Sequence, residues 1–166
     1  MSARQAAEAR RISSGTFETG TDTLPDDWTT SSWLALPDTF GREAMPCREG
    51  AFAARISNES ANDASFQQTV ADLKAGTSYL FCGWLKGEQI VDVEGGGIGA
   101  NLTLVATWTL SAAPMGTFDW TRRCVAFQSD GTPATLGFRL GFYGSIVTGK
   151  AFADDLSFEE LRPAFP

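Results

Sequence analysis

The chain has 166 residues, of which 43% are hydrophobic and 20% charged, a balance that fits a single soluble domain with its own core and excludes a disordered chain. Asp and Glu outnumber Lys and Arg by 20 to 13, for a net charge of −7, so no basic face for a nucleic acid is expected. Histidine is absent, which removes Ser-His-Asp and Cys-His catalysis and every His-containing zinc site, and no apolar run reaches the length of a membrane-spanning helix.

In chain order, residues 1–14 (MSARQAAEARRISS) favour helix through their Ala, Glu and Arg content but offer almost no apolar face. They read as a tail or short helix, with an assembly arm as the alternative. They lack the apolar core of a secretory signal peptide, so export is expected only for a processed or excised module. From Ser14 onward, runs rich in Phe, Val, Leu, Thr and Trp alternate with Gly, Pro, Asp, Asn and Ser clusters. The predicted strands are Gly15 to Glu18, Phe52 to Ser57, Ser65 to Val70, Ser78 to Lys86, Gly99 to Leu110, Thr121 to Gln128, Thr135 to Tyr143 and Ala151 to Glu159. Turn signals separate them at Leu24-Pro25-Asp26-Asp27, Lys74-Ala75-Gly76-Thr77 and Ser129-Asp130-Gly131-Thr132-Pro133. The run Glu94-Gly95-Gly96-Gly97 permits tight bends but lacks the lysine and helix of a phosphate loop.

Period-2 alternation assigns faces. Phe138, Leu140 and Phe142 should face a core, with Arg139, Gly141 and Tyr143 turned away. Tyr79, Phe81, Gly83 and Leu85 should share one side, and Leu80, Cys82, Trp84 and Lys86 the other, half-exposed one. In the last run Phe152, Asp154, Leu156 and Phe158 share one face, which Asp154 interrupts. Many short strands and no internal helix give an all-β fold, a two-sheet antiparallel sandwich over residues 15–161, with residues 162–166 as a short tail. Three cysteines leave at least one unpaired. They read as small core hydrophobes, with Cys82–Cys124 the one pair named as a disulfide alternative.

Several short motifs occur in a telling order: Gly15-Thr16-Phe17-Glu18, Leu24-Pro25-Asp26-Asp27-Trp28, Gly50-Ala51-Phe52-Ala53-Ala54-Arg55-Ile56, Leu73-Lys74-Ala75-Gly76-Thr77-Ser78-Tyr79, Gly83-Trp84-Leu85-Lys86 and Ala151-Phe152-Ala153-Asp154-Asp155-Leu156-Ser157-Phe158. Taken together, the series resembles the jelly-roll carbohydrate-binding modules of the family 4, 9 and 22 type, within the galactose-binding-domain-like fold. The resemblance implies a non-catalytic module that binds a poly- or oligosaccharide, either excised from a glycan-active enzyme or a partner to one. It also implies a structural calcium ion held by Glu18, by Asp154 (with Asp155 as second choice) and by a backbone carbonyl in the segment Arg48 to Gly50. A hard cation there would offset the cost of a carboxylate on an apolar face.

Sugar rings present flat C–H faces with a hydroxyl fringe, so exposed aromatics and planar polar groups are the candidates for holding them. Turned away from the core by their phase or placed in a loop, these are Trp84, Tyr143, Arg139, Trp33 and Gln67. Trp28, Trp120 and Trp108 read as structural, Trp108 because it shares phase with Leu102 and Leu104. Two other functions compete. One is a protein–protein assembly module on the same sandwich, using the Arg-rich N-terminal arm. The other is a two-carboxylate enzyme built on Asp26, Asp27, Asp154 and Asp155, which is disfavoured because adjacent carboxylates in a strand point to opposite faces.

Overall fold

The computed structural model describes residues 12–162. It is an all-β jelly-roll sandwich of two antiparallel sheets. The strands are β1 (Thr29–Ser32), β2 (Phe40–Glu43), β3 (Ala53–Asn62), β4 (Ala64–Val70), β5 (Ser78–Asp92), β6 (Ala100–Leu104), β7 (Gly116–Gln128), β8 (Ala134–Leu140) and β9 (Val147–Glu160). One sheet runs β1-β4-β8-β6 and the other β2-β3-β9-β5-β7. Among the described residues no helix is long and apolar enough to cross a membrane.

The alternation of side chains builds the core between the sheets. Phe66, Leu136, Phe138, Leu140 and Leu102 come from the four-stranded sheet, and Ile56, Tyr79, Phe81, Leu85 and Phe158 from the five-stranded one. All are fully buried. Each such side chain contributes about 1.5–3 kcal/mol relative to exposure. Phe66 and Phe138, opposite each other in the β4–β8 register, stack with centroids 6.3 Å apart, and Tyr79 stacks on Phe158 at 5.2 Å. The Tyr79 hydroxyl reaches the core edge and accepts the Lys74 N–H at 3.0 Å, so its buried polar tip has a partner.

The structure departs from the sequence reading at five places. Gly15 to Glu18 is not a strand. Phe17 turns into the left-handed region (φ 59°) and buries its ring against Trp28, 5.5 Å away. The strands Thr29–Ser32 and Phe40–Glu43, too short and polar to show alternation, take the place of a first strand there. The run Gly99 to Leu110 splits. β6 ends at Leu104, the chain turns through Ala106 (φ 64°), and Leu104 and Thr109 pair through a backbone hydrogen bond of 3.0 Å. Asp155 (φ 56°) is the extra residue of a β-bulge, since Cys82 faces Ser157 while Trp84 faces Asp154. The bulge reverses the phase, so Ala151, Ala153, Leu156 and Phe158 face the core, while Phe152 and Asp154 lie on the opposite side. Cys82 and Cys124, directly opposite on β5 and β7, are joined as a disulfide rather than packed as free thiols, and Cys47 is the free cysteine.

The packed domain begins before the predicted residue 15, because Ile12 is buried and the Ser13 N–H donates to Gln68. The rest of the predicted N-terminal tail or assembly arm lies outside the described residues, as does most of the C-terminal tail.

Candidate functional site

A cleft of about 770 Å³ lies on the outer face of the four-stranded sheet. Its size suits a small ligand or a few units of a chain. Four of the five ligand candidates meet there: Gln67 from β4, Arg139 from β8, Trp33 just beyond β1 and Tyr143 beyond β8. Alternation explains the first two. Phe66 and Phe138 point inward, so Gln67 and Arg139 point out.

The two aromatic residues are held by the local backbone. Trp33 donates its N–H to the Asp63 carbonyl at 2.9 Å, and the buried Asn62 clamps the next residue by exchanging hydrogen bonds with Leu34. The Trp33 side chain is left 65% exposed. Tyr143 and Gly144 form the tip of a two-residue turn closed by reciprocal Phe142–Ser145 backbone bonds, with Gly144 at φ 71°. That turn projects Tyr143 into solvent at 45% exposure. Trp108, expected in the core, is instead 76% exposed and packs on Phe142 and Tyr143, both 5.5 Å away. Its phase with Leu102 and Leu104 was broken when the strand ended at Leu104.

Arg139 is the electrostatic centre. Its Nε and Nη2 donate to the two oxygens of Asp63 at 2.7 and 2.5 Å, a bidentate pair that is nearly buried on both sides. The guanidinium also lies over the rings of Phe142 and Tyr143, at 4.5 and 4.4 Å. Burial alone would depress the Arg139 pKa, but Asp63 and Tyr143 outweigh it and raise it, so the group stays a cation. Gln67 is fixed by donating to Ser65 at 2.9 Å. Asp63 and Ser65 had no site role in the sequence reading. Phe142, expected to face the core with Phe138 and Leu140, lines the cleft instead, against the Arg139 guanidinium, because β8 ends at Leu140 and the chain turns at Gly141 (φ 98°). Asp63 sits between β3 and β4, where no alternation marks a facing side.

Trp84 is not brought to this cleft. It lies on the outer face of the other sheet, half-buried beneath the Arg48 guanidinium, 3.7 Å above its ring. That outer face carries a broader depression of about 1070 Å³ lined by Lys86, Glu88, Lys150 and Glu59 among others, and by no aromatic side chain.

The expected cation ligands do converge on one segment. Asp154, 1% exposed, accepts the N–H groups of Arg48 and Glu49 at 2.9 and 3.1 Å and that of Asp155 at 2.8 Å. Glu18 accepts those of Ala51 and Phe52 at 3.0–3.3 Å. Gly50 (φ 67°) lies beneath Glu18, so close that a Cβ would sit 2.3 Å from Oε1. Burial raises the Asp154 pKa, against the lowering effect of the three N–H groups. Two hard-oxygen donors therefore meet residues 48–52, which fits calcium in its carboxylate part. What the segment turns toward them, however, is N–H donors rather than the expected carbonyl, and the Gly50 carbonyl faces Cys47 Sγ at 3.6 Å. No group of three or more acidic, Cys or His side chains suited to a metal occurs among the described residues.

Neither a protein-family model nor a curated protein matches the sequence. Solved structures do. A family 61 carbohydrate-binding module in complex with β-1,4-galactotriose matches over 92% of this chain and 99% of its own, at 15% identity and a TM-score of 0.62. A family 4 carbohydrate-binding module matches over 90% and 99%, at 20% identity and 0.55. The enzymatically active domain of a bacteriophage CBA120 tailspike matches over 92% of this chain but only 22% of its own, at 16% identity and 0.66. The chain has the two-sheet jelly-roll fold of the carbohydrate-binding modules.

Proposed function

We propose that this chain is a non-catalytic module that binds a poly- or oligosaccharide in the cleft of the four-stranded sheet. The observation that carries the reading is the convergence of two exposed aromatic rings, Trp33 and Tyr143, with the anchored Arg139 and Gln67. The rings supply apolar platforms for C–H faces, and the planar polar groups supply donors and acceptors for paired hydroxyls. Chemistry rather than size decides between the two outer faces, since the larger depression offers no ring to stack on. The fold is shared with a module whose structure holds β-1,4-galactotriose, which supports a glycan as ligand.

A catalytic reading has little to draw on here. Both Asp63 oxygens are taken by Arg139, and Asp26, Asp27, Asp154 and Asp155 lie outside the cleft lining. Titration calorimetry against a panel of neutral and acidic glycans tests the binding. Saturable binding to one class supports it, and no heat with any glycan from a folded sample overturns it.

Calcium is a second part of the proposal, with Glu18 and Asp154 as the carboxylate ligands and a carbonyl of residues 48–50 as the third oxygen. The ion would supply positive charge beside a buried carboxylate and tie the first loop to β9. A fall in Tm on adding chelator, restored by calcium, supports it. An unchanged Tm removes calcium and leaves the cleft untouched.

A further inference from the structure

The cleft's own charges bear on the class of glycan it takes. Its charged lining residues are Asp63, Arg139 and Glu94. The single cation among the described lining residues is already neutralised, because Arg139 and Asp63 form a bidentate pair with side-chain exposures of 8% and 14%. A glycan carboxylate that approaches the guanidinium meets a charge Asp63 already neutralises, and claiming that charge for itself would leave a nearly buried carboxylate without its partner.

Glu94 is the third charge, exposed at the rim and with no ion pair among the described residues. It sits on a short loop with a fixed backbone. Asp92 accepts the N–H groups of Glu94 and Gly95 through Oδ1, at 3.1 and 2.9 Å, and that of Gly97 through Oδ2, at 2.5 Å. The loop is also sewn to the turn that carries Tyr143. Ser145 Oγ accepts the Ile98 N–H at 3.1 Å, and Gly96 packs so closely on Ser145 that a Cβ would lie 2.4 Å from its Cβ. The backbone that carries Glu94 is thus tied to the turn that carries Tyr143, and both residues line the cleft.

Resting on the reading of this cleft as a glycan site, we propose that it selects uncharged glycans and rejects uronate-bearing ones, with Asp63 and Glu94 as the specificity-determining residues. Neutral hydroxyls can accept the Arg139 N–H groups that Asp63 leaves over and can donate to Glu94. Among the described lining residues a uronate finds no unpaired cation, and it meets a like charge.

The test uses the full chain in affinity electrophoresis and calorimetry at low salt. The probes are neutral hexose polysaccharides (β-1,4-galactan, a β-glucan and a β-mannan) and the same polysaccharides oxidised at C6 to uronates. The expected result is binding to a neutral polysaccharide at least about tenfold tighter than to its oxidised form, with the gap narrowing in 0.5 M salt. Glu94→Gln should narrow the gap, and so should Asp63→Asn, which frees Arg139. Glu59→Gln, the same change of net charge on the other sheet, should leave it unchanged. Equal or tighter binding to the oxidised polysaccharide overturns the inference while the glycan reading stands. A Glu59→Gln effect as large as that of Glu94→Gln overturns it too, because the selectivity would then come from overall charge. If no polysaccharide of either kind binds, the glycan reading itself falls, and this inference with it.

Discussion

Replacing Asp63 by Ala should be among the most damaging single changes outside the hydrophobic core. It removes the carboxylate that pairs with a guanidinium whose side chain is 8% exposed. Breaking a buried pair from one side costs about 3–5 kcal/mol, because the surviving charge stays desolvated. Arg139 keeps its places over Phe142 and Tyr143, each contact worth about 0.5–1 kcal/mol, and Asp63 is not wholly sealed, so the low end applies. We expect a loss of about 3 kcal/mol, which for a chain of this length lowers Tm by roughly 6–12 °C. The double variant Asp63→Ala/Arg139→Met should recover much of that loss, since it leaves no orphaned charge. Urea titrations of the four members of this cycle read the coupling directly. A single-variant loss below about 1 kcal/mol, or a double variant as unstable as the two singles summed, would refute the view that this pair is one buried unit.

Trp33→Ala and Tyr143→Ala should each weaken glycan binding by about 1–2 kcal/mol, roughly 5- to 30-fold in calorimetry, whereas Trp84→Ala should leave binding unchanged because Arg48 covers that ring on the other sheet. The disulfide joins residues 42 apart, so Cys82→Ser/Cys124→Ser or a strong reductant should cost about 4 kcal/mol on the loop-entropy estimate, read as a lower urea midpoint. Asp92 has its pKa lowered: desolvation acts to raise it, and the N–H groups of Gly97, Gly95, Glu94 and Gly96 together outweigh that. A carboxylate lowered in the folded state adds stability that is present above its unfolded pKa and lost as pH falls through the folded one. The Tm advantage of the parent over Asp92→Asn should therefore hold from pH 7 to 5 and vanish on acidification below the ordinary carboxylate range. A constant advantage down to pH 2 would contradict it. Gly96→Ala should separate the Glu94 loop from the Tyr143 turn and weaken binding more than stability, which paired calorimetry and Tm measurements would separate.

Alternation carried most of what could be read in advance. It turned Gln67 and Arg139 away from Phe66, Phe138 and Leu140, and both share the cleft with Trp33, whereas Tyr143 joins them from a turn beyond the end of β8 rather than by phase. It failed where the period breaks by one residue. The bulge at Asp155 moves Asp154 off the face of Leu156, and the end of β6 at Leu104 turns Trp108 from a core position to an exposed one. A single inserted or turning residue changes nothing in composition, so pattern alone is blind to it. Asp63 was hidden for a different reason. Its role comes from the partner that β8 brings opposite, 76 positions away, and no local signal encodes that meeting. The disulfide is similar, since only the β5–β7 register sets Cys82 facing Cys124.

That covalent link has a consequence for how the protein behaves in company. Among the described residues β7 ends the five-stranded sheet, and a border strand of this kind presents a row of backbone donors and acceptors that can recruit a strand from another molecule. The sulfur bridge fastens this border strand to its inner neighbour, and the adjacent Arg122 and Arg123 add repulsive charge along the same margin. Local peeling of the border, the step that would seed intermolecular aggregation, is thereby resisted by a bond that thermal fluctuation cannot open.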